Sequence, residues 1–208
     1  MDFDYFCHED ELEAEWEHVK RWGRSYAIIL HHPQRLMREM LARKALLSEE
    51  EKQRLVSRHL ILYGEYFCDL VVPSWLHRGD PPAAHHCLNT ALDSLIKAVF
   101  LSNDELIPFG KWTLNLSYTL AWTPRDWSER VEQALLVWEI SRADVERRCT
   151  LIRDLFVECK ERLVGGRAEG EEHLAFDEEQ LREYAARDFE DFLDQDQALL
   201  RVSAEEAL

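Results

Sequence analysis

One stretch narrows the folds open to this chain more than any other. From Ala84 through Cys87, Leu88, Ala91, Leu92, Leu95, Ile96 and Val99, apolar residues recur at steps of three and four. That spacing lines one face of an α-helix for about four turns. Asp80 suits the position that caps such a helix, and Pro81 its first turn, where a missing N–H costs nothing. A helix this apolar must be covered by other apolar surfaces. With 7 Gly and 6 Pro in 208 residues, the chain lacks the turn residues a many-stranded β fold needs. The expectation is an all-α fold, an antiparallel helical bundle with short connections.

The rest of the chain reads in the same way. Residues 9–30 predict a helix with an irregularity near Gly23 and a buried stripe of Trp16, Val19, Trp22 and Tyr26. Pro33 predicts the first turn of a helix reaching Leu47, with Leu36, Met37, Met40, Leu41 and Leu46 on its apolar face. Ser48 and Glu51 form a capping-box pattern opening a long helix, whose stripe is Leu55, His59, Leu62, Tyr66 and Leu70. Pro73 should kink or end it. After the central helix, Asn103 marks a stop, Pro108 and Gly110 a turn, and Lys111 to Ala121 a short helix. Thr123-Pro124 predicts a helix start running to Ile140, and Ser141 with Asp144 another, through Leu163. The bundle domain is expected over 1–163 and a linker over 164–173, clearest from Arg167 to His173 and preceded by Gly165-Gly166. An acidic helix and tail follow over 174–208, with Leu181, Tyr184, Phe189 and Phe192 on one face.

The net charge is −16, and the segment from Arg167 onward carries fourteen acidic residues against four arginines. Such a charge repels a phosphate backbone, so DNA is not an expected partner. Five widely spaced cysteines with no CxxC suit buried, reduced thiols in a cytoplasmic protein. The acidic start lacks the basic and apolar regions of a signal peptide, and no apolar run of about 18 residues suggests a membrane span.

Chemistry concentrates opposite the apolar face of the central helix. His86, Asn89, Thr90, Asp93 and Lys97 share one polar stripe, with Lys111 and Trp112 expected to fold back towards it. As a substrate-binding surface, Asp93 would accept from hydroxyls or ammonium groups, Lys97 and Lys111 would meet phosphate, and Trp112 would stack on a base or sugar. The plainer reading is a solvated face with a local Asp93–Lys97 pair. A metal site is not expected. Consecutive helical residues point about 100° apart, so His85-His86-Cys87 cannot converge on one ion, nor can His31-His32. Glu15-x-x-His18 supplies half of a di-iron signature without its counterpart. No catalytic residues are assigned, since no nucleophile motif or phosphate-cradling glycine loop occurs.

Arg78-Gly79-Asp80, the striped helix, Phe100-Leu101 before Asn103, and Pro108-Phe109-Gly110-Lys111-Trp112 together resemble the helical domain of minimal-type nucleotidyltransferases. That group includes antibiotic-modifying enzymes of the kanamycin and lincosamide type. The likeness spans about residues 45–163. It implies a HEPN-like helical domain that binds a small polar substrate beside a catalytic domain, and one that pairs as a homodimer. Catalytic domains of the group carry Gly-Ser and, about ten residues later, an acidic pair that holds Mg²⁺. Here Asp2-Phe3-Asp4 has the pair's spacing without the turn. The expectation is therefore the substrate-side domain alone, with Mg²⁺ and ATP entering only through a separate domain in cis or trans. An alternative is a HEPN-like ribonuclease or toxin, whose Arg-x4–6-His pattern both Arg54…His59 and Arg78…His85 satisfy. A non-catalytic regulatory protein, its acidic helix docking a basic partner, is a third.

Overall fold

The structure is a computed structural model, and it describes residues 8–29, 36–164 and 176–189. Among these the fold is all-α, with no strand. The helices are α1 (His8–Glu13), α2 (His18–Ser25), α3 (Leu36–Lys44), α4 (Glu49–Val56), a π-helical segment (Ser57–Val71), α5 (Val72–His77), α6 (Pro81–Leu101), α7 (Gly110–Ser117), α8 (Trp127–Leu135), α9 (Arg142–Val164) and α10 (178–189).

The core forms around α6, as its periodicity demands. Ala84, Leu88, Ala91, Leu92, Leu95, Ile96 and Val99 are all buried, and Ser94, Ala98, Phe100 and Leu101 are buried beside them. The π segment, α9, α5, α7 and α4 pack around it. Asp80 caps α6 by accepting from the Ala83 amide at 3.0 Å. Asn103 closes its far end, donating to Val99 O at 2.7 Å while its own oxygen accepts from Trp122 N at 2.8 Å.

Other starts follow the sequence. Ser48 and Glu51 form both bonds of the capping box. Ser141 Oγ accepts from the Asp144 amide at 3.3 Å at the start of α9. On α9, Val145, Cys149, Ile152, Leu155, Phe156 and Cys159 are buried as their spacing requires, while Leu151 is only half-buried.

Four expectations fail locally, each because a tertiary contact outweighs helix propensity. The first helix breaks at 14–17, not at Gly23, which lies inside α2. Trp16 turns inward at the break, and Lys44 takes the free carbonyls of Glu11 and Ala14 at 2.6 Å each. The proposed stripe dissolves with it: Trp16 is buried, but Val19 and Tyr26 are exposed. On α3, Met40 is buried whereas Leu36 is exposed, as is Leu46 just beyond the helix; Pro33 and His31-His32 lie outside the described residues.

Second, of the kink or end expected at Pro73, the end does not occur. The helix runs from Glu49 to His77 and changes hydrogen-bond register on the way, α to Val56, π over Ser57–Val71 and α again from Val72. One row of buried positions runs Val56, Leu60, Gly64, Cys68, Val72 and Leu76, every fourth residue, with Ser57, His59 and Ile61 buried beside its start, and Leu70 is exposed. In an α-helix such a row rotates by about 40° per step. The wider i→i+5 turn rotates it the other way. Gly64 sits where a Cβ would lie 2.6 Å from the Phe156 ring, so the segment reaches α9 through a side-chain-free position.

Third, α8 begins only at Trp127. The preceding turn is tied to α9 instead, with Glu158 accepting from the Arg125 amide at 2.9 Å and from Arg130 at 2.5 Å. Fourth, α8 stops at Leu135, because α9 supplies two arginines that take its last carbonyls. Arg148 Nε donates to Ala134 O at 2.7 Å, and Arg147 to Gln133 O and Leu136 O.

The acidic α10 packs into the same core. Leu181 is fully buried, with Phe176 and Ala185 buried beside it. Tyr184 and Phe189 are half-buried, Phe189 against Tyr66 with ring centres 5.2 Å apart. Ser57 Oγ donates to Leu181 O at 2.5 Å, and Lys160 bridges Glu65 and Glu178. Asp2-Phe3-Asp4, Gly165-Gly166, the Arg167–His173 linker and Phe192 lie outside the described residues.

Candidate functional site

The polar stripe of α6 presents as its spacing requires. His86, Asn89 and Asp93 are exposed and Lys97 half-buried. Asp93 and Lys97 form an ion pair at 2.5 Å, the local i,i+4 contact of a helix face. Exposed pairs of this kind contribute little to stability, about 0.3–0.5 kcal/mol, so both groups remain available to a ligand at small cost. At the far end of the helix, Lys111 lies over the rings of Phe109 and Trp112, at 5.8 and 5.7 Å. Trp112 is itself exposed. Among the described residues no hydrogen bond or ion pair joins Lys111 or Trp112 to the stripe. The six residues therefore form two groups, one along α6 and one at the start of α7.

A third group, centred on Arg148, adjoins the stripe at Asn89. Arg148 is fully buried between α6, α8 and α9. Besides Ala134 O, it donates to His85 Nδ1 at 2.8 Å and to Asn89 Oδ1 at 2.7 Å. A guanidinium only donates, so His85 Nδ1 accepts and the imidazole is neutral. Burial, then the neighbouring Arg148 charge, holds the His85 pKa below its ordinary value, in agreement with that tautomer. Asp144 lies one turn away. Burial pushes its carboxyl up, but Arg147 and the Trp138 amide more than offset this and hold it below the usual range. Periodicity carried a signal for Arg148 that a search for polar faces passes over: it falls on the apolar face of α9, three residues after Val145 and four before Ile152.

The connection between α8 and α9 adds an apolar surface to this group. Leu135, Leu136, Val137, Trp138 and Ile140 are consecutive but for one residue, and all are exposed. The Arg147 guanidinium stacks over the Trp138 ring at 4.1 Å. Sequence reasoning placed these residues inside a helix and missed them as a surface. Single exposed apolar residues are ordinary but a contiguous run is not, and such a run is the kind of surface that commonly marks a contact site.

The residues of the two Arg–His patterns have separate partners. Arg54 is exposed and paired with Glu50 at 2.9 Å, whereas His59 is buried 3.3 Å from Ser94 Oγ. Burial first, and Lys97 and Arg58 next, push the His59 pKa down to about 3. Arg78 stacks over Trp75 at 4.8 Å while His85 belongs to Arg148. His18 accepts from the Ile107 amide through Nε2 at 2.6 Å. Among the described residues no three His, Cys, Asp or Glu side chains converge as metal ligands, and no helix is long and apolar enough to cross a membrane.

Among the described residues the protein is all-α, with a polar stripe along its central helix and an exposed apolar run where α8 gives way to α9. Comparison with family models, with curated proteins and with solved structures finds no match for the chain.

Proposed function

We propose that this chain is a non-catalytic binding module, the substrate-side helical domain of a nucleotidyltransferase-type protein working in the cytoplasm. The α6 stripe of His86, Asn89, Asp93 and Lys97 receives a small polar, amine-bearing substrate, with Lys111 and Trp112 as outlying contacts. The exposed run from Leu135 to Ile140 seats the catalytic domain, in cis or trans, and that domain brings Mg²⁺ and ATP. Without it, the same run pairs with a second copy as a homodimer. One observation supports the reading: Arg148 ties Asn89 of the polar stripe to Ala134 at the end of α8, where the exposed apolar run begins.

The test uses kanamycin as the amine-bearing probe. Calorimetric titration is expected to show binding weakened at least tenfold by Asp93→Ala, with the melting temperature unchanged. Equal affinity in the variant would remove the stripe as the site. The chain mixed with kanamycin, Mg²⁺ and ATP is expected to transfer no nucleotide, and transfer would overturn the non-catalytic assignment. Sedimentation should show a dimer that Trp138→Ser weakens.

A further inference from the structure

Two cysteines that the stripe does not use meet across the interface between the π segment and α9. Cys149 Sγ donates to Cys68 O at 3.5 Å, which sets the Cys149 thiol against Cys68. Gly64, one turn before Cys68, lets the π segment approach α9 closely enough for this meeting. Both cysteines are buried in the core, yet each lies at the wall of a groove. Cys149 lines a groove of about 480 Å³ between α5 and α9, with His77, Arg142, Thr150 and Arg153. Cys68 lines a smaller one of about 160 Å³ on the other side, and Arg153 borders both. Arg153 donates to Cys68 O at 2.9 Å and pairs with Asp69 at 2.8 Å, so its guanidinium is fixed beside the sulfurs.

We propose that Cys149 and Cys68 are an oxidisable pair, in which a small hydroperoxide entering the α5–α9 groove oxidises Cys149 and Cys68 resolves the product as a disulfide. The Cys149 thiolate attacks one peroxide oxygen. The O–O bond breaks, the other oxygen leaves and takes a proton as water or an alcohol, and the sulfur becomes a sulfenic acid, oxidised by two electrons. The Cys68 sulfur then attacks the Cys149 sulfur. The S–O bond breaks, and hydroxide leaves as water with the Cys68 proton. The order of roles follows from the surroundings. The hydrogen bond from Cys68 and then the Arg153 charge hold the Cys149 thiol below its ordinary value, against the pull of burial, while the same contact and burial push Cys68 up. The resulting bond ties the π segment to α9.

Exposure alone predicts a different target. Cys87 is more exposed than either partner, but burial pushes its thiol up and no cation flanks it among its described contacts. Wild-type protein treated with hydrogen peroxide, then alkylated after unfolding and mapped by mass spectrometry without reductant, is expected to lose two hydrogens in a Cys68–Cys149 cross-linked peptide. Cys87 and Cys159 should remain alkylated. Treatment in the presence of dimedone should label Cys149, and Cys68→Ser should increase that label. Oxidation of Cys87 before Cys149 would overturn the proposal. So would two free thiols at positions 68 and 149 under a dose that oxidises the unfolded chain. Both of these readings need only the wild-type protein.

Discussion

Arg148 is the residue on which three helices depend. It closes the C-terminus of α8, binds His85 and Asn89 of α6, and sits on α9 with none of its side chain exposed. Arg148→Met keeps much of the apolar stem but leaves three acceptors without a donor, each worth about 1–3 kcal/mol when buried. We expect a loss of about 2–4 kcal/mol in urea unfolding, given that Asn89 is exposed and recovers water. A double-mutant cycle with His85→Ala should give a coupling of at least about 0.5 kcal/mol. His59 governs the acid side of stability. Its folded pKa of about 3 lies below its ordinary 6.5, so the unfolded chain binds a proton the folded one refuses. Its contribution is complete above pH 6.5 and is lost as pH falls towards 3. Glu51, depressed to about 2, acts in the same direction below its ordinary 4.5. Stability at pH 5 should be about 2 kcal/mol lower than at pH 7.5 from His59 alone, and His59→Gln should remove that share of the slope in denaturant titrations, leaving the share of His18, which burial lowers to about 4.

Among the elements, the helix from Glu49 to His77 owes its shape to packing. Its row from Val56 to Leu76, buried at every fourth residue, drifts round a pure α-helix, and the π register over Ser57–Val71 turns it back. Gly64 is the position where this fit is tightest. A methyl there meets the Phe156 ring at 2.6 Å. Gly64→Ala should destabilise by about 1–3 kcal/mol, the range for overpacking a core. Phe156→Leu should recover part of that loss when combined with it, although alone it also destabilises. Thermal melts of the two single variants and the double variant test this. The capping elements behave more simply. Asp80→Ala should cost about 1 kcal/mol by freeing the Ala83 amide at the start of α6.

For the whole molecule, the question is whether the acidic C-terminal segment is an appendage. Its composition sets it apart, yet Leu181 is as buried as Leu95 of the central helix. Leu181→Ala should therefore destabilise by about 2–5 kcal/mol, as Leu95→Ala should. Fluorescence and circular dichroism should report one shared unfolding transition in both variants. Among the described residues of the segment, Asp177, Glu179 and Glu183 are exposed, while Glu178 and Asp188 pair with Lys160, Arg182 and Arg58. The described part of the segment thus keeps its charge at the surface, while its attachment is apolar.

The helical class, the central position of α6 and its caps were legible because each is a local matter: three-and-four periodicity, an aspartate before proline, a serine before glutamate. The stripe of His86, Asn89, Asp93 and Lys97 was legible for the same reason, since a helix fixes which side chains share a face. What lay beyond reach depends on contacts between residues far apart in the chain. Lys44 ends α1, Arg147 and Arg148 end α8, and Glu158 holds back the start of that helix. Those long-range hydrogen bonds outweigh propensities of a few tenths of a kcal/mol per residue. They turn Leu135 to Ile140 from the expected helix face into an exposed run, set Arg148 beside the stripe, and bring Cys68 to Cys149. The sequence by itself determined the helical class and the faces of α6 and α9; the tertiary structure decided where the other helices break and which faces meet.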